Sequence, residues 1–173
     1  GIAAYKSLEL IRGLKKAGLN VRAILTDGGA QFITPLSVSG LTGNKTYGGL
    51  FSLTDEDEMG HIRLSREADL VVVVPATADL IAKMANGFAG DLASTTLLAN
   101  KSPLMICPAM NVEMWNKAST IRNITTLKED NVLVIDPEEG DMACGEFGVG
   151  RLAEVETILS QIKGFFLNEP RPL

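Results

Sequence analysis

Apolar positions along this chain fall into two rhythms that take turns. Leu8, Leu10, Ile11 and Leu14 recur at helical spacing and stop at Gly18, the kind of residue that closes a helix. Asn20–Leu25 then reads as a strand, and Ala30–Ile33 as a single helical turn. Thr34-Pro35 is an N-cap followed by Pro at the first helical position, so a short helix is predicted to about Leu41. Gly43–Asp57 has no period and reads as a polar loop; Arg63–Ala68 reads as a connector. Asp69–Pro75 is the clearest strand. Its continuous Val run implies burial on both faces, the mark of a central parallel strand. Helical spacing returns over Ala78–Asn86, closed by Gly87, and again over Asp91–Ala99. Strand Leu104–Cys107, helix Thr120–Glu129, strand Val132–Ile135 and an amphipathic helix Glu154–Phe166 complete the series. Between the last two, Asp136–Arg151 is Gly-rich and acidic, and is expected to be an exposed loop or flap.

Alternation of this kind predicts an α/β fold: a doubly wound parallel sheet with helices on both faces. The chain opens on a helix that feeds a strand, half of a βαβ unit, so a strand before Gly1 is expected as well. Ligands of such sheets bind beyond the carboxyl ends of the strands. Those ends are Thr26, Pro75-Ala76-Thr77 and Pro108–Asn111, far apart in sequence and predicted to share one edge.

Composition narrows the function. The net charge is −5 and aromatic residues make up 5% of the chain, which speaks against nucleic acid as a partner. No apolar run is long enough to span a membrane as a helix. Two cysteines, Cys107 and Cys144, and a single histidine, His61, offer no metal-ligand spacing. Sparse cysteine and no export signal point to a reducing cytoplasm with free thiols.

Several positions carry candidate chemistry beside a plainer reading. The stretch Cys107-Pro108-Ala109-Met110-Asn111-Val112-Glu113-Met114-Trp115 sets one amide among soft apolar side chains. Asn111 is either a helix N-cap or the polar group of a binding site with a dry wall. Gly1-Ile2-Ala3-Ala4 opens a helix whose free N–H groups suit a phosphate. It lacks the G-x-G-x-x-G fingerprint, since Ala3 and Lys6 stand where glycines are required, so a mononucleotide fits better than NAD. Thr26 and Thr77 end strands, where a hydroxyl can cap a helix or donate to a ligand; Ser94, Thr95 and Thr96 invite the same two readings. His61 is the only side chain whose ordinary pKa lies near neutrality. Cys144 sits in a glycine-rich stretch, Met142–Gly150, that gives a thiol no packing reason to be there.

Taken together, Gly60-His61-Ile62, the Pro108–Trp115 segment (P-x-M-N-x-x-M-[WY]) and Ala143-Cys144-Gly145-Glu146 resemble the flavin-dependent cysteine decarboxylases over essentially the whole chain. Among these, the resemblance is to the enzymes of coenzyme A synthesis that act on phosphopantothenoylcysteine. It implies a flavodoxin-like FMN-binding domain over residues 1–167 and a linker over 168–173 towards a fused synthetase domain. It also implies assembly as trimers or dodecamers. Implied FMN contacts fall on Gly1, Ile2, Thr26, Thr77, Ser94 and Met110, and implied substrate contacts on Asn111, Met114, Ala143 and Gly145. The implied chemistry is oxidation of the substrate's CH2–SH end by the flavin, loss of CO2, and reduction of the resulting enethiol. His61 would serve the oxidative half, Asn111 would bind the carboxylate, and Cys144 would donate a proton in the reductive half. Two other members of the fold are alternatives: a peptidyl-cysteine decarboxylase, or a non-catalytic FMN-binding regulatory subunit.

Overall fold

Helix α1 spans Ala4–Lys16 and buries the stripe Ala4, Ser7, Leu10 and Ile11, the face its apolar spacing marks out. The structure, a computed structural model, describes residues 1–48 and 63–168. In chain order there follow β1 (Ala23–Ile24), a 3-10 turn (Gly29–Gln31), α2 (Pro35–Thr42), β2 (Thr46–Tyr47) and a helical segment, α3, seen over residues 63–67. Then come β3 (Val71–Ala76), α4 (Ala78–Asn86), α5 (Leu92–Ala99), β4 (Leu104–Pro108), α6 (Val112–Trp115) and α7 (Ala118–Glu129). The last elements are β5 (Leu133–Val134), β6 (Glu138–Asp141), β7 (Phe147–Arg151) and α8 (Val155–Asn168).

Strands β3, β4 and β5 form a parallel sheet in that order, and β1 pairs in parallel with β2. The middle strand of the larger sheet is therefore β4 and not the Val-rich β3. Val71–Val74 are only partly buried, whereas Met105–Pro108 are buried throughout. β-branched content measured strand propensity there, and burial followed the position in the sheet.

β4 also sets the layers. Met105 and Cys107 point to one side, into a cluster with Leu10 of α1 and Leu152, Ile158 and Ile162 at and in α8. Ile106 points to the other, where Ile81 of α4 and Ile124 and Leu127 of α7 close over it. Alternate residues of one strand thus feed two cores, and helices lie on both faces. A third cluster joins Ala4 and Ile11 of α1 to Ile33 and Val38, with Ala23 and Leu25 packed against it. Helix α1 serves both sheets, and its Ser7 hydroxyl donates to the Val74 carbonyl at 2.8 Å.

Several sequence expectations need correction. β1 is two residues long, much shorter than Asn20–Leu25. The supposed polar loop after Gly43 contains β2, a two-residue strand too brief to show a period. Residues 63–67 are helical, not a plain connector. Asp136–Arg151 is an antiparallel hairpin, β6–β7, hidden by its glycines and acids. Helix α8 runs through Asn168, one residue into the expected linker. The Thr34 cap is as expected: its hydroxyl accepts from the Ser37 N–H at 3.0 Å, with Pro35 opening α2. No helix among the described residues is long and apolar enough to cross a membrane.

Candidate active site

All strands of a parallel sheet end at the same edge, and at that edge two chain ends are tied together. The Ala109 N–H donates to the Ala76 carbonyl at 3.0 Å, so the turn after β4 lies beside the turn after β3. Thr77 opens α4 by accepting from the Leu80 N–H at 3.2 Å, which leaves its own O–H free to donate at the strand end. Thr26 accepts from the Gly29 N–H at 3.0 Å in the same manner. The first turn of α1 has neither a side-chain cap nor an acidic residue, so its N–H groups and positive dipole end suit an anion. Ala3 of that turn and Ala109 pack on the same core cluster, which brings the start of α1 to the end of β4.

Asn111 fulfils the N-cap reading, and its donor end turns to the hairpin. Its Oδ1 accepts from the Met114 N–H at 3.0 Å and caps α6. With the oxygen engaged, the Nδ2 group faces the hairpin and donates to Glu146 Oε2 at 2.5 Å. That oxygen also lies 3.7 Å from Cys144 Sγ, and the thiol donates to it. The amide of Asn111 and the thiol of Cys144 thus converge on one carboxylate.

Backbone contacts hold the hairpin there. The Met110 N–H donates to the Gly150 carbonyl at 2.9 Å. A Cβ on Gly150 would stand 2.3 Å from the Met110 carbonyl oxygen, and one on Gly148 would stand 2.7 Å from Val112 Cγ2. Only glycine allows β7 to lie this close to the Asn111 turn. At the base of the hairpin, Glu138 accepts from the Glu154 N–H at 3.1 Å and from Arg151 at 3.4 Å, which fixes it to the start of α8. At its tip the Gly145 N–H donates to the Met142 carbonyl at 2.9 Å and the Met142 N–H to the Glu146 carbonyl at 2.8 Å. That bend carries Ala143, Cys144 and Gly145 on its exposed side. Met114, 46% exposed, stands on α6 facing solvent with Phe147 and Val149 of the hairpin also exposed.

The two thiols differ as their surroundings dictate. Cys144 is exposed, whereas Cys107 is fully buried in β4 and burial pushes its thiol up to about 12. Ser94 has the local role of its two readings. It is 2% exposed and completes a capping box, donating to Asp91 Oδ1 at 2.9 Å and accepting from the Asp91 N–H at 3.2 Å. Its neighbour Thr96 is buried with its hydroxyl unpartnered among the described residues. Gly1 and Ile2 are exposed ahead of α1, and His61 lies outside the described residues. The residue that sequence reading passed over is Glu146, visible only as the last letter of the Cys144 motif.

The donor set at this edge fits a phosphorylated, carbonyl-rich cofactor. It offers the positive end of α1 without a side-chain cap, the Thr77 hydroxyl with its proton not engaged among the described residues, and half-buried Met110 as an apolar wall. A family profile described as Flavoprotein matches residues 1–167. The coenzyme A biosynthesis bifunctional protein CoaBC of Haemophilus influenzae is 43% identical over 166 residues, 96% of this chain and 42% of that protein. Its namesake in Bacillus subtilis is 41% identical over 169 residues, 98% of this chain and 42% of that protein. The chain therefore spans about two-fifths of the length of these relatives. Among solved structures, a Cys-to-Ser variant of PPC decarboxylase complexed with pantothenoylaminoethenethiol superposes with a TM-score of 0.84 at 30% identity, covering 96% of this chain and 93% of that one. The FMN binding protein AtHal3 superposes with a TM-score of 0.82 at 30% identity, covering 99% of this chain and 94% of that one.

Proposed function

The chain belongs to the flavoprotein family, and we propose that it is the FMN-dependent decarboxylase part of a coenzyme A biosynthesis protein, converting phosphopantothenoylcysteine to phosphopantetheine with a flavodoxin-like, doubly wound sheet as scaffold. One observation carries the reading: a carboxylate already sits between the Asn111 amide and the Cys144 thiol. A substrate that must offer a carboxylate to one group and take a proton from the other needs that spacing.

The first turn of α1, Thr26 and Thr77 would hold FMN by donating to its phosphate and ring carbonyls, with Met110 against the ring. Bound there, FMN supplies a two-electron sink and source that an N-acylated cysteine lacks. The chain's own residues do the rest. Asn111 Nδ2 donates to the substrate carboxylate and fixes it without a full positive charge, so the carboxylate that must be lost is not over-stabilised in the ground state. Its orientation is set in advance, because Oδ1 is committed to the cap of α6. Cys144 brings an S–H over the same position and donates a proton to the carbon framework of the enethiol formed after CO2 departs. His61 is assigned the proton transfers of the oxidative half. A substrate would be covered by the hairpin, whose exposed Phe147 and Val149 are apolar enough to exclude water. A relative supports the reading: a PPC decarboxylase variant with one cysteine replaced by serine is complexed with pantothenoylaminoethenethiol. Assembly into a homo-oligomer is part of the same reading, supported by exposed Phe88 and Leu98.

The test uses full-length, FMN-loaded protein with phosphopantothenoylcysteine, following CO2 and product together. Wild type releases CO2 and gives phosphopantetheine. Cys144→Ser releases CO2 yet accumulates an enethiol-derived product, and His61→Asn does neither. Normal product from the Cys144 variant would remove the proton-donor role.

A further inference from the structure

The carboxylate between Asn111 and Cys144 belongs to the protein itself. Glu146 reaches it from the hairpin bend, which turns back through the Met142–Glu146 backbone bond and places Gly145 at φ 84. Its Oε2 takes the N–H that the proposed reaction needs for a substrate carboxylate. The other end of the Asn111 amide is committed to the Met114 N–H, so the NH2 group is held towards the hairpin, and a second acid reaching its other N–H would lie beside Glu146. Two carboxylates at one amide would also repel each other.

We propose that Glu146 is a positioning residue that stands in for the substrate carboxylate, latching the hairpin to Asn111 until a carboxylate-bearing ligand displaces it. The inference rests on the reading of Asn111 as the carboxylate donor. It makes Glu146 a determinant of specificity. A ligand with a carboxylate at this position releases the latch by taking over its N–H. The decarboxylated product has nothing to offer Asn111, so Glu146 returns to it, and product is held only by its remaining contacts. Carboxylate recognition and release of the Glu146 side chain become one exchange of hydrogen bonds, at no net loss of bonds to Asn111, while the Met110–Gly150 bond keeps the hairpin over the site.

The experiment compares full-length, FMN-loaded wild type with Glu146→Ala, Glu146→Gln, Asn111→Ala and the double alanine variant. Hydrogen exchange over residues 142–149 is read without substrate. The KM for phosphopantothenoylcysteine and the dissociation constant for 4'-phosphopantetheine are read separately. Screened by water, this exposed hydrogen bond to a carboxylate is expected to correspond to a change of about three- to tenfold. Glu146→Ala should speed flap exchange by that factor, Asn111→Ala should do the same, and the double variant should go no further. Glu146→Gln keeps an acceptor oxygen and should restore protection. KM should fall about three- to tenfold in Glu146→Ala because the resident competitor is gone, while product affinity stays within about twofold. Unchanged exchange, a raised KM, or equal shifts for substrate and product would overturn the latch alone. Absence of CO2 release from wild type would overturn the functional reading, and the latch with it.

Discussion

Asn111 shows how one side chain can cap a helix and still present a donor elsewhere. An amide has an acceptor and a donor at opposite ends, and here the acceptor caps α6 while the donor faces the hairpin. The two duties can be separated. Asn111→Asp keeps a good capping oxygen but turns the donor into a second carboxylate beside Glu146. Asp and Asn are comparable N-caps, so with Glu146 removed as well (Glu146→Ala background) stability to denaturant should stay within about 0.5 kcal/mol of that background. Decarboxylation should fall by about a hundredfold or more, as expected when a donor to a reacting carboxylate is replaced by a like charge. Loss of stability as large as that of Asn111→Ala would show that the amide is needed for folding and not for the ligand. At this scale the sequence singled out Asn111 and Cys144, which the structure brings to one carboxylate, because they break local rules: an amide after a core strand, a thiol among glycines. It did not expose Glu146, because an acid in an acidic, glycine-rich stretch looks like ordinary solvated charge. Its meaning lies in a contact 35 positions away.

Elements were legible in proportion to their length and to the strength of their end signals. Helix α2 announces itself by Thr34-Pro35, and β4 by an apolar run bounded by Pro103 and Pro108. The two-residue strands β1 and β2 owe their existence to pairing with each other and not to any periodic pattern. The hairpin β6–β7 is the instructive miss. Its glycines and acids suggest an exposed loop or flap, whereas Gly148 and Gly150 are there because β7 lies against the Asn111 turn too closely for a Cβ. Gly150, at φ 152, would as alanine drive a methyl to 2.3 Å from the Met110 carbonyl oxygen, a backbone atom with no freedom to swing aside. Gly150→Ala should therefore lift β7, break the Met110–Gly150 hydrogen bond and cost about 1–3 kcal/mol of stability. The check is twofold: denaturant unfolding for the energy, and KM for the misplacement of Cys144. Wild-type values of both would mean that the hairpin is not held by this contact.

Across the whole molecule, the site and the stability meet in β4, whose Cys107 is the last strand residue but one before the Asn111 turn. That thiol is fully buried between α1 and α8, and burial raises it from an ordinary 9.0 to about 12. The native state therefore keeps its proton over a range in which the unfolded chain has released it. Between pH 9 and 12 the unfolded state binds fewer protons than the native state, so stability falls with rising pH. The limiting slope from one such group is about 1.4 kcal/mol per pH unit, and below pH 9 the group contributes no pH dependence. Cys107→Ala should cost about 1–2 kcal/mol at neutral pH through the small cavity it leaves in the shared core. In return, its stability should decline less steeply above pH 9. Denaturant midpoints of wild type and variant, measured from pH 7 to 11, should converge as the pH rises. Parallel curves would show that the Cys107 proton is not linked to unfolding. A thiol reagent gives the same contrast at a single pH: one equivalent reacts in the native protein, at exposed Cys144, and the second only after unfolding.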